Sequence, residues 1–225
     1  GAGFVCAITA ARGRVHCWGA NEDATLGDGP LTHAGCVQTG GGDCSIVPVP
    51  VAREDDGVPV EGAVQLGCGE DHACARLGAG EIVCWGRNVN GALGTDDYGA
   101  TFVRAVRVEL SGLATDLEVG RSSACARVGD DWACWGENGH AGVVDGRLGD
   151  PTFDGELTAV PIMVPAFHGA RVALAATATC FAVGADVACV GANAVGQVGV
   201  APDAMLYRSP PTTLTLAGPI DQLSA

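Results

Sequence analysis

Apolar residues along this chain gather in short segments, several alternating with polar positions, and glycine, proline or acidic residues separate one from the next. The same succession recurs. A short apolar segment (Val64–Cys68, Leu117–Val119 or Val172–Leu174) leads to a small residue, Gly69, Gly120 or Ala175, five positions before a cysteine. A pair of cysteines follows, and after it a β-branched stretch: Ile46–Val51, Phe102–Val108, Ala159–Val164 or Thr212–Leu216. Nearby prolines and loops mark those last stretches as outer or edge strands. Repeat one starts at its small residue, Gly1, without the leading segment. Ile220-Asp-Gln-Leu-Ser-Ala225 supplies one at the other end, with Gln222-Leu223 in register with Gln65-Leu66. The pattern predicts an all-β chain with one supersecondary unit per repeat. Repeat cores fall near 1–51, 63–108, 116–164 and 171–216, and 220–225 is expected to begin a further unit or to close onto residue 1.

The cysteine pairs sharpen this. In Cys125-Ala-Arg-Val-Gly-Asp-Asp-Trp-Ala-Cys134 a two-residue loop at Gly129-Asp130 makes Val128 and Asp131 the flanking hydrogen-bonded pair. Counting outward puts Cys125 opposite Cys134 in a non-hydrogen-bonded pair, with Cα atoms about 4.5 Å apart, within reach of a disulfide. Cys180 and Cys189 keep the same count around Gly184-Ala185, and longer loops preserve it for Cys74 with Cys84 and Cys6 with Cys17. Buried thiols and metal ligands are the alternatives. The tight pairs of a zinc site do not occur, so disulfides are expected, each contributing roughly 2–3 kcal/mol on the chain-entropy model. Cys36 and Cys44 share the long Asp28–Ile46 insertion and are expected to bridge there. Cys68 is left over; its counterparts Val119, Leu174 and Ala225 are apolar, which predicts a buried free thiol.

Composition narrows the setting. The chain has 225 residues, 48% of them hydrophobic, enough for a packed core. Its net charge is −14, and all 12 basic residues are arginine. Such a surface repels phosphate backbones and argues against nucleic-acid binding. Eleven cysteines at regular spacing suggest an oxidising compartment. No apolar run reaches the roughly 20 residues of a membrane helix. With no initiator Met or leader-like stretch, the chain is expected to be part of something longer.

After the second cysteine comes Trp-Gly-x-Asn, at Trp18, Trp85 and Trp135, with Val190 in the fourth copy, and then Leu-Gly or Val-Gly. A ligand-stacking Trp is one reading. The repetition favours the other: one core aromatic per repeat, glycine for close backbone approach, and Asn pinning a turn.

These residues carry a resemblance. Gly69, His72, Cys74-Ala75, Cys84-Trp85-Gly86, Asn88, Gly91 and Leu93-Gly94 resemble the regulator of chromosome condensation repeat, in its bacterial, cysteine-paired form. The resemblance extends over essentially the whole chain, with departures at Val190, at Val198 and in an insertion between Asn138 and Leu148. It implies a β-propeller of four-stranded antiparallel blades, normally seven, of which about four are present. Members of the family include a nuclear exchange factor for a small GTPase that docks on nucleosomes. Others are a secreted inhibitor of β-lactamase and many bacterial surface proteins.

The expected function is that of a non-enzymatic, extracytoplasmic scaffold, secreted or in the cell envelope, binding a protein through blade loops. Asp55, Asp56, Asp96, Asp97, Tyr98, Phe153, Asp154 and Tyr207 are the candidate contacts. An enzyme inhibitor of the β-lactamase-inhibitor type is the alternative, with Tyr98, Phe102, Phe153 and Tyr207 as anchors; an exchange-factor-like regulator ranks below it. No Ser/His/Asp grouping stands out, no Asp-x-Asp-x-Asp-Gly calcium loop occurs, and no cofactor or small-molecule substrate is inferred.

Overall fold

The structure is a computed structural model, and it describes residues 3–30, 32–33, 42–140, 143–144, 146–149, 160–162, 170–202 and 207–224. Blade one holds β1 (Phe4–Ile8), β2 (Val15–Ala20) and β3 (Cys44–Pro50). Blade two holds β4 (Ala63–Cys68), β5 (His72–Leu77), β6 (Ile82–Arg87) and β7 (Thr101–Arg107). Blade three holds β8 (Ala114–Val119), β9 (Ser123–Val128), β10 (Asp131–Gly136) and, after the small hairpin of β11 (Gly139–His140) and β12 (Val143–Val144), β13 (Val160–Ile162). Blade four holds β14 (Arg171–Leu174), β15 (Ala178–Val183), β16 (Asp186–Ala192) and β17 (Tyr207–Thr215). Each sheet is an antiparallel meander in chain order, and β4, β8 and β14 are the inner strands through which neighbouring blades touch.

The hairpin count holds. Val128 pairs with Asp131 and Cys125 with Cys134; Val183 pairs with Asp186 and Cys180 with Cys189. Cys6–Cys17, Cys74–Cys84, Cys125–Cys134 and Cys180–Cys189 are disulfides. Cys44 is also disulfide-bonded, while Cys36 lies outside the described residues. Past the second cysteine each central hairpin must bend. Gly86 has φ +105°, and a Cβ there would lie 2.5 Å from the Asp71 carbonyl oxygen, so only glycine lets the two strands close this tightly.

Blades are joined by the tryptophans. Trp85 and Trp135 are fully buried. The Trp85 indole N–H donates to Thr25 O at 2.9 Å, and its ring lies over Gly27, the glycine of blade one's Leu-Gly. Trp135 repeats the arrangement on blade two, at Ala92 and Gly94. The tryptophan is therefore an interblade key, and the Leu-Gly of the preceding blade is its lock. Blade four has Val190 instead. There Trp132 takes over, donating from the other end of β10 to Ala170 O at 2.9 Å.

In the tail, Ile220 N–H donates to Gly184 O at 2.7 Å, and Ile220 and Leu223 pack on the blade-four cluster around Ala178 and Val198. Cys68 is free but only half-buried, and among the described residues β1 has no strand on its inner side; burial still pushes the Cys68 thiol pKa up.

Candidate functional site

In a four-stranded meander, the connections from first to second strand and from third to fourth strand emerge at one end. At that end residues 69–71, 120–122 and 175–177 converge with the segments that follow β6 and β10. Between them lies an open cleft of about 320 Å³, bounded by Glu70, Asp71, Arg87, Asn90, Arg121 and Glu137, among others.

Asn88 holds the loop that supplies Val89, Asn90 and Ala92 to the cleft. Asn88 is fully buried; its Oδ1 accepts from Leu93 N–H at 2.9 Å, and its Nδ2 donates to Thr95 Oγ1 at 3.0 Å and Asp97 O at 2.9 Å. Asn21, Asn138 and Asn193 accept in the same way from Leu26, Leu148 and Val198. One side chain per blade thus closes the loop that carries the Leu-Gly lock.

Charges around the cleft are mostly paired. Arg121 of blade three grips Glu70 of blade two with two bonds, at 2.7 and 2.9 Å, and holds its carboxyl below the usual range. Arg147, almost fully buried, donates to Glu137 Oε2 at 3.0 Å and across to Ala176 O in blade four at 2.8 Å. Arg87 approaches Asp23 of blade one at 3.8 Å. Asp71 stands apart: burial, with Asp23 and Glu70 nearby, raises its carboxyl pKa.

His72 lies beneath the rim with 1% exposure, its ring against Gly69. Burial pushes its pKa down to about 4, so the imidazole is neutral, and Nε2 has no hydrogen-bond partner. Neither Ser122 on the rim nor Cys68 is bonded to it, so no nucleophile–base pair is assembled around it.

The sequence candidates do not share one surface. Asp96, Asp97 and the exposed Tyr98 lie in the β6–β7 connection, at the cleft-bearing end. Asp55 and Asp56 lie in the β3–β4 connection, at the opposite end, where Asp56 caps its own turn by accepting from Val58 N–H at 2.8 Å. Tyr207 opens β17, and Phe153 and Asp154 lie outside the described residues. A second cleft, of about 420 Å³, opens at that opposite end beside Asp116, Glu118, Arg127 and Arg171, where burial and Asp116 raise the Glu118 pKa. The Arg121–Glu70 pair escaped the sequence reading because both residues sit in short turns inside the repeat, not in the long variable loops. Its one signal is position: Glu70 and Arg121 each follow the glycine that opens a repeat.

The family model of the regulator of chromosome condensation (RCC1) repeat matches residues 63–92, the inner three strands of blade two and the Asn88 turn. Residues 63–92 thus carry an RCC1 repeat. It is 26% identical over 150 residues to the ultraviolet-B receptor UVR8 of Arabidopsis thaliana, covering 64% of this chain and 30% of the receptor. Among solved structures, human WBSCR16 superposes with a TM-score of 0.74 at 17% identity, covering 100% of this chain and 56% of that one. Prp20p of Saccharomyces cerevisiae superposes with a TM-score of 0.65 at 17% identity, covering 96% and 49%. The chain therefore spans less than two thirds of each of these three proteins, and the structural likeness is one of fold.

Proposed function

We propose that this RCC1-repeat protein is a non-enzymatic scaffold, secreted or in the cell envelope, that binds a protein partner through blade loops at its cleft-bearing end. The observation that carries the reading is the convergence of loops from blades two, three and four on one open, charged cleft. A small-molecule site is enclosed and largely apolar, whereas a rim of fixed arginines and carboxylates suits the polar surface of another protein. The structure of Prp20p was described together with its binding to Gsp1p and histones, an instance of this fold making protein contacts. Disulfides in all four hairpins support an oxidising compartment. The inhibitor reading ranks second, because Tyr98 is exposed whereas Phe102, the other candidate anchor whose side chain is described, is partly buried.

The test is affinity capture from the source organism's surface fraction with wild-type protein, D96K/D97K/Y98A and D55K/D56K. Loss of the captured partner with the first variant and retention with the second is expected. Loss with D55K/D56K alone would move the binding surface to the opposite end. Capture unaffected by either would remove the loops from the interface.

A further inference from the structure

The excursion of blade one leaves β2 at Ala20 and returns at Cys44, and the two sides of it meet at one side chain. His33 lies between two carboxylates. Its Nε2 is 2.9 Å from Asp28 Oδ2, and its Nδ1 is 2.9 Å from Asp43 Oδ2. Its backbone N–H also donates to Asp43 Oδ1 at 2.7 Å. The three side chains are 12%, 12% and 14% exposed, so water competes little for these bonds.

An ionised carboxylate only accepts, and a neutral imidazole carries a single N–H. A neutral His33 could therefore serve Asp28 or Asp43, never both; the imidazolium serves both. Failure of one bond is costly here. Asp28 Oδ1 is already buried without a partner, so losing His33 would leave that carboxylate with no side-chain donor among the described residues. We propose that His33 is a proton-dependent clasp for the blade-one excursion, closed when the ring carries both protons and loosened when it carries one.

Two other charged groups face this part of the chain: the Arg104 guanidinium from β7 lies against Gly29, and Glu22 lies against Gly42. Asn21, which donates to Asp43 Oδ2 at 2.7 Å, does not titrate. With each ring nitrogen facing its own carboxylate, the group is arranged as a clasp and not as a metal cage.

The titration behaviour agrees in sign. Burial opposes a charged His33, but the hydrogen bonds and charges of Asp28 and Asp43 outweigh it and raise its pKa above the ordinary value. Burial likewise opposes a charged Asp43, and the bonds from Asn21 and His33 overcome it and lower its pKa. His33's share is complete below the ordinary histidine value of about 6.5 and fades as pH rises through the raised one. Asp43's share is complete above the ordinary carboxyl value and fades as pH falls through the lowered one. The clasp is closed between these limits.

The test is an NMR titration of the five histidines with amide exchange read at His33. His33 should titrate above about 6.5 in the wild type, and lower in D28N and in D43N. After correction for intrinsic exchange, protection of the His33 amide should fall about tenfold between pH 6 and pH 9. The H33Q variant, verified as folded by circular dichroism, should show no such step at the same amide. A His33 ring titrating at or below the ordinary value overturns the proposal, as does wild-type protection that is flat across that interval.

Discussion

The indole N–H of Trp135 donates to the carbonyl oxygen of Ala92 at 3.1 Å, a bond that runs from blade three to blade two. Trp85 and Thr25 make the equivalent bond one blade earlier, at 2.9 Å. Each ring also covers a Leu-Gly glycine, so a single residue per blade supplies both apolar area and a polar anchor.

Replacing Trp135 should separate these two contributions. W135F keeps most of the buried ring but leaves Ala92 O without its donor, at a cost of about 1–3 kcal/mol. W135A also leaves a cavity, and the total should reach about 3–5 kcal/mol. Urea unfolding of the two variants checks the order; a W135F protein as stable as the wild type would show that the interblade bond contributes nothing.

The Asn88 carboxamide should matter more than its size suggests. N88A strips the buried Leu93 N–H of its acceptor and frees the backbone at Thr95 and Asp97. A loss of about 1–3 kcal/mol is expected, with faster amide exchange across 93–98. An unchanged exchange pattern would mean that the Leu-Gly lock is held by packing alone.

His72 gives the fold a defined acid sensitivity. Its pKa is pushed down to about 4 in the folded protein, so between that value and about 6.5 the unfolded chain binds a proton that the folded one does not. Its contribution therefore falls as pH drops through this interval and is flat above it. Repeat one carries Phe4 at the equivalent position, so H72F should be accommodated and should reduce the slope of stability against pH there. A slope as steep as that of the wild type would assign the acid sensitivity elsewhere.

The hairpin disulfides should act separately. C125A/C134A should cost roughly 2–3 kcal/mol in denaturant unfolding, and reduction of the wild type should cost more than any one pair removed. Equal losses would mean that one staple carries the whole effect.

Much of the fold was legible because the hairpin count is a local quantity. Once Gly129-Asp130 is taken as the turn, strand periodicity alone places Cys125 across from Cys134, and Cys180 from Cys189. The bond from Asn to the residue before the Leu-Gly or Val-Gly glycine spans five residues in three of the four copies and belongs to the same local class. The cleft was not legible. Arg121 meets Glu70 and Arg147 meets Ala176 only because neighbouring blades are set side by side, and the separations in sequence carry no periodic signal.

The repeat by itself therefore determined the strands and the stapled hairpins, since these follow from alternation, turn residues and short-range pairing. Tertiary structure decided which loops share an end. It put Asp96 and Tyr98 with the cleft and Asp55 at the opposite end, and it left the tail on blade four. It also revealed Trp132 as the key to a joint where Val190 supplies no indole. Those outcomes depend on how blades pack around a common axis, a long-range relationship that strand periodicity does not encode.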